Sequence, residues 1–270
     1  MHQRKRQSNI MKILNKKSTV YWTPVVLTLE GHESPTWENI GYYEPEPAMK
    51  SIISQRNREI RYLKCPAFQK YYENTFVIQC PFDLEIRVDK TNMDSNGKYI
   101  LTDRYGQQFY DKYIVYRVDE KNDFTMIDVN IPYVFYCENS TIVELMPHHM
   151  GIDNHENNFR VIPGEFDIAR WHRSLNFSIE IIDDDKPVTL TRGEPLFSVR
   201  FRPKNGSSVI LERSEFTPVL RDSLNSCVTL KNIAAKNTLE ENYAAFSKYL
   251  ETIKNKLFRK RCPFGFTRKK

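Results

Sequence analysis

Between Thr75 and Val88 the chain alternates: Phe76, Ile78, Cys80, Phe82, Leu84, Ile86 and Val88 are apolar, and the residues between them are mostly polar. A period of two puts every second side chain on the same side of an extended strand, so this stretch must bury one face in a sheet. Pro81 has no N–H to give to a ladder and predicts a bend or edge between two strands. After the hairpin-favouring Asn96-Gly97, the same style continues at Lys98–Thr102 and Gln108–Val118. Further strands are predicted at Thr125–Ile131, Tyr133–Cys137, Thr141–Met146, Phe159–Ile162, Asn176–Ile182, Val188–Thr191, Leu196–Arg202 and Val209–Glu212. Many short strands without alternating helices predict a mainly β fold: an antiparallel, jelly-roll- or cupin-like sandwich or barrel. The 15 Tyr and 16 Phe agree, because flat rings pack well on pleated surfaces.

Upstream, Val20–Leu29 reads as a strand that Pro24 breaks or confines to an edge. Glu30–Pro47, with three prolines among acids and aromatics, reads as a loop, and Ala48–Leu63 as one or two short helices interrupted near Asn57. At the other end the period changes. Leu239, Tyr243, Phe246, Leu250, Ile253 and Leu257 are spaced by 4, 3, 4, 3 and 4, which stacks them into one stripe of an amphipathic helix. Thr238 and Glu241 form a capping box at its start, cations cluster at its end, and Pro263 stops it. The stripe can pack on the protein's own sheet, or pair with a second copy or a protein partner through residues 239–257.

The expected division is a basic extension at 1–17, a β-rich domain at 18–221, a C-terminal helical segment at 222–262 and a basic tail at 263–270. Met11 opens a second plausible start, so residues 1–10 read as an extension. The two ends carry six cations each and no acid, more than the whole net charge of +6, which predicts weak attraction to polyanions, not a folded nucleic-acid groove. No apolar run reaches the length of a membrane span and none resembles a signal peptide; the expected location is the cytoplasm. Five scattered cysteines read as reduced thiols, with no zinc-type pair.

Four of the six histidines fall between His148 and His172, among carboxylates. Neutral imidazole with carboxylate is a ligand set for iron, manganese or zinc, so His148, His149, His155, His172, Glu165 and Asp167 are the metal candidates. The first expectation is nevertheless no cofactor. His148 and His149 are adjacent, as are His155 and Glu156, and neighbours on a strand point to opposite faces. Trp171, flanked by Arg170, His172 and Arg173, is a candidate stacking platform or a core residue. Asn92–Asp103 imitates a calcium loop but reads better as a hairpin. Arg200 and Arg202 share a strand face, where they grip an anion or join cross-strand pairs. Asp183-Asp184-Asp185 reads as a turn.

Two stretches resemble known sequences when taken whole: Leu63–Glu85, LKCPAFQKYYENTFVIQCPFDLE, and Phe166–Phe201, with Trp171-His-Arg-Ser-Leu-Asn-Phe and Arg192-Gly-Glu-Pro-Leu-Phe-Ser-Val. They are similar to uncharacterised proteins of marine tailed phages, and more distantly to a bacterial domain family of unknown function in which a tryptophan-bearing strand precedes a G-E-P turn. The resemblance spans about Ala48–Pro203. It implies a viral origin, hence host cytoplasm or virion, and a cupin-like or jelly-roll-like fold, and it brings no catalytic residues.

The leading expectation is a non-catalytic phage-type protein, either a virion or assembly component or a host-interaction factor. The competing one is a metal-dependent cupin-like oxygenase or isomerase using two of the four clustered histidines with Glu165 or Asp167. A third is a sugar- or nucleotide-binding module around Trp171 and the strand arginines.

Overall fold

The computed structural model describes residues 17–25, 43–55, 61–87, 114–119, 124–148, 157–234 and 236–258. Thirteen strands lie among these residues: β1 Lys17–Pro24, β2 Glu46–Pro47, β3 Thr75–Gln79, β4 Leu84–Ile86, β5 Ile114–Asp119, β6 Phe124–Tyr136, β7 Thr141–Met146, β8 Phe159–Ile162, β9 Gly164–Asp167, β10 Ser174–Ile181, β11 Val188–Leu190, β12 Pro195–Pro203 and β13 Ser208–Arg213. Four α-helices accompany them: α1 Ala48–Gln55, α2 Pro66–Tyr71, α3 Pro218–Ile233 and α4 Leu239–Phe258. The protein is thus mainly β with helices at its C-terminal end.

The first sheet runs β13-β1-β6-β10-β8, with β5 also on β6; the second runs β2-β3-β12-β7-β9; β4 and β11 form a small third pair. Alternation decides which side chains go inside. On β10, Leu175, Phe177, Ile179 and Ile181 are buried while Ser174, Asn176, Ser178 and Glu180 are half-buried on the other face. The two sheets meet through these inner faces, where Phe177 stacks on Phe197 of β12 at 4.9 Å and Phe135 of β6 meets Phe201 at 5.2 Å. One cluster of buried side chains includes residues of both sheets and of the β4–β11 pair. Aromatic pairs of this kind add stability beyond their buried area.

The bend expected at Pro81 falls between β3 and β4, and Pro24 ends β1. The two strands expected at Thr125–Ile131 and Tyr133–Cys137 are one 13-residue strand, β6, with β5 and then β1 along one edge and β10 along the other. Strand β9, unanticipated in the sequence, lies within the histidine-rich segment. One pair departs from the antiparallel expectation, for β1 and β13 run parallel, Lys17 opposite Ser208. The turn expected at Gly193-Glu194-Pro195 is closed by Gly193 N–H on the Cys80 carbonyl and Cys80 N–H on the Glu194 carbonyl, both at 2.8 Å. Gly193 sits at φ +83°, where a side chain is strained.

Helix α3 lies mostly within the helical segment expected at 222–262, although no apolar stripe is read for it there. Thr217 caps it by accepting from Leu220 N–H at 3.3 Å, Pro218 occupies its first turn, and it buries Leu220, Ser223, Leu224 and Cys227, three and four apart. Leu220 and Leu224 cover Val134 and Tyr136 on the outer face of the first sheet. The capping box of α4 forms as expected: Thr238 N–H donates to Glu241 at 2.7 Å, and Glu241 N–H to Thr238 Oγ1 at 3.3 Å. Donation to its carboxylate from the Thr238 N–H and hydroxyl holds the Glu241 carboxyl below its usual range. The stripe of α4 faces inward: Tyr243 and Phe246 are buried against Trp171 and Cys227, with Leu250 and Ile253 alongside. The helical segment starts at Pro218, before the expected boundary at 222, and packs directly on the sheet.

Candidate functional site

The residues that the sequence gathers into one histidine–carboxylate cluster take separate places. Glu165 is on the exposed face of β9, bonded to Arg202, which also approaches Glu144 at 3.6 Å. Arg200 and Arg202 therefore join cross-strand pairs on the outside of the second sheet. Asp167, at the end of β9, is buried and holds a turn together: one oxygen accepts from Ser140 Oγ at 2.7 Å, the other from Thr141 N–H at 3.2 Å and Ala169 N–H at 2.9 Å. Its own N–H donates to the Tyr243 hydroxyl at 2.6 Å, which ties α4 to the sheet. His148 is buried with Nδ1 3.1 Å from Ser198 Oγ. His149, His155 and the calcium-like loop at 92–103 lie outside the described residues. Among the described residues, no group of three His, Cys, Asp or Glu is arranged to hold a metal ion.

His172 has the most distinctive surroundings. Its Nδ1 lies 2.7 Å from Ser223 Oγ on α3, its ring meets Tyr136 and Phe246 edge-on, and its Nε2 has no hydrogen-bond partner. It is 0% exposed, and burial, helped by the charge of Lys254, pulls its pKa from 6.5 down to about 4. A serine–imidazole contact is a nucleophile–base pair in principle, but no substrate reaches a pair sealed beneath helices. It pins α3 to the sheet. Ser223 stands 51 positions from His172, so no local sequence pattern could have paired them.

Burial also pushes the Cys80, Cys137 and Cys227 thiols up to about 12, so all three stay protonated and inert. Trp171 is 3% exposed, with its ring between those of Tyr243 and Phe246 at 6.3 and 5.6 Å. Its faces are committed to the core. The Asp183–Asp185 segment is a turn, with Asn158 Nδ2 donating to the Asp183 and Lys186 carbonyls at 2.6 and 2.8 Å.

Among the described residues, two of the clefts that open to solvent stand out. The larger, about 590 Å³, lies at one end of the sandwich between the start of β1 and the β6–β7 and β12–β13 turns, with Lys17, Glu138, Ser140 and Lys204 on its walls. The smaller, about 300 Å³, lies on the outer face of the first sheet. Asp128, Asn176 and Ser178 form its floor, the β8–β9 turn one wall, and Lys231 of α3 with Leu239 of α4 the other. Asp128 is only 9% exposed and accepts a hydrogen bond from the Ser178 hydroxyl, directly opposite it in the ladder. Arg173 stands at the cleft with its guanidinium 5.7 Å from the centre of the Phe166 ring. The sequence signal for this floor was the polar half of the β10 alternation.

In sequence, no protein-family model matches the chain and no characterised protein matches it.

Proposed function

We propose that this chain is a non-catalytic β-sandwich protein that acts by binding through its surface, as a virion or assembly component or a host-interaction factor of a tailed phage. The observation that supports this reading is how the reactive groups are spent. His172 and Asp167 are consumed in buried hydrogen bonds that fasten α3, α4 and the β6–β7 turn to the sheets. The two facing sheets, five and six strands wide, support a jelly-roll-related sandwich as its scaffold. The phage setting rests on the resemblance carried by Leu63–Glu85 and Phe166–Phe201.

Because the inner stripe of α4 is occupied by its own domain, self-association or partner docking is read onto the outward side of this helix, where Tyr249 is 59% exposed. Among the described residues, no helix is long and apolar enough to cross a membrane.

The decisive experiment is metal analysis of protein purified without chelator, with melting curves in the presence of iron, manganese and zinc. Sub-stoichiometric metal and unchanged melting are expected. Stoichiometric retention with a raised melting temperature would overturn the reading in favour of a metal-dependent enzyme.

A further inference from the structure

The cleft on the outer face of the first sheet carries an inference that rests on the binding reading above and gives it a ligand. At about 300 Å³ it is the size of a small-molecule site that holds one ring. Its floor is a flat, hydrogen-bonding surface, because the outward side chains of neighbouring strands stand side by side. Asp128 offers a carboxylate already steadied by Ser178, and Asn176 an amide whose oxygen accepts from Ser174 Oγ at 3.3 Å. Arg173 adds a planar donor, while Phe166 and Leu239 line the sides with apolar surface.

The lining also says what does not fit. Charges of both signs line it, Asp128 and Glu165 with Arg173 and Lys231, and Glu165 is already paired with Arg202, so the lining is not built around a single charge. A phosphate would meet a carboxylate at the floor. A flat base stacks best on a wide, open aromatic face, but the Trp171 ring is buried against Tyr243 and Phe246 and the Arg173 guanidinium lies over the smaller Phe166 ring. What remains is a neutral molecule with hydroxyls around its edge, which ask for mixed donors and acceptors, and C–H surface that rests on Phe166 and Leu239. We propose that this cleft binds a neutral pyranose ring, either free or at the end of a glycan.

Glucose, galactose and N-acetylglucosamine, each as the monosaccharide and as a trisaccharide, are titrated into the full chain by calorimetry and by saturation-transfer NMR, with glucose 6-phosphate and AMP as charged comparators. At least one neutral sugar is expected to bind saturably. Asp128→Asn and Asn176→Ala should each weaken it by about tenfold, as expected for a lost charge-assisted or neutral hydrogen bond, while Arg160→Ala, outside the cleft, leaves it unchanged. The Asn176 variant keeps the test intact if the Asp128 variant fails to fold. Binding of the trisaccharide at least as tightly as the monosaccharide assigns a glycan end, and binding of the monosaccharide alone assigns a free sugar. No saturable binding by any neutral sugar, tighter binding of either charged comparator, or full affinity in both cleft variants would overturn the proposal. Retained metal would instead overturn the broader reading, so the two failures are distinguishable.

Discussion

Replacing His172 by Asn is expected to change how the protein responds to acid more than how it is built. In the folded protein the imidazole is sealed between Ser223, Tyr136 and Phe246, and it resists protonation down to about pH 4, whereas in the unfolded chain it takes a proton near 6.5. Between those two values unfolding is coupled to proton uptake, so stability falls as the pH drops. Its contribution is complete above about pH 6.5 and fully lost below about pH 4. At about 1.4 kcal/mol per pH unit, the loss through this one group is on the order of 3 kcal/mol, a large share of the stability of an ordinary domain. Urea unfolding followed by circular dichroism at several pH values across that window measures it. His172→Asn can keep a hydrogen bond to Ser223 but has no proton to gain there. The variant's stability should therefore decline less steeply, by about the same 3 kcal/mol over the window. Carboxylates that titrate nearby do so in both proteins and cancel in the comparison. Equal pH slopes for the two proteins would refute the reasoning, and would mean that water reaches the imidazole.

Other expectations follow from single contacts. Phe246→Ala empties a fully buried ring site between Trp171 and His172 and should cost about 3–5 kcal/mol, read from the shift in urea midpoint. Tyr243→Phe leaves the Asp167 N–H without its acceptor and should cost about 1–3 kcal/mol by the same assay. Thr217→Ala removes the cap of α3 at a cost of about 1 kcal/mol, with hydrogen exchange rising first in that helix. Gly193→Ala forces a side chain to φ +83° with its Cβ 3.3 Å from the Tyr43 hydroxyl, and should lower the melting temperature by the equivalent of about 1–3 kcal/mol.

The strands were legible wherever a sheet buries one face, because burial then imposes period two: β10 and β3 were readable almost to the residue. Helix α4 was legible for the same reason at period 3.6. Helix α3 fell inside the expected helical segment except for its start, which was placed at 222 because the inward stripe is short and includes the polar Ser223, although Thr217-Pro218 is a start signal of the expected kind. Strand β9 escaped because four residues, two of them acidic, are too few to show alternation. The metal candidates stood together in sequence because the chain crosses from β7 to β10 there. Three-dimensional neighbours such as His172 and Ser223, or Asp128 and Ser178, come from different elements, and spacing along the chain does not encode them. That Arg200 and Arg202 share a face was readable because strand alternation is local, whereas their partners Glu144 and Glu165, on other strands, were not.

The parallel pair of β1 and β13 has a consequence for how the chain is made. Ser18 and Ser207, bonded through their hydroxyls at its start, are 189 positions apart. During synthesis β1 emerges first and must wait for nearly the whole domain before its outer neighbour exists, with only β6 available meanwhile to shield its other edge. Closing so long a loop is a late, entropically costly event. The edge of β1 is therefore open to intermolecular strand pairing until translation has passed Arg213, and aggregation during expression should track the time spent in that window.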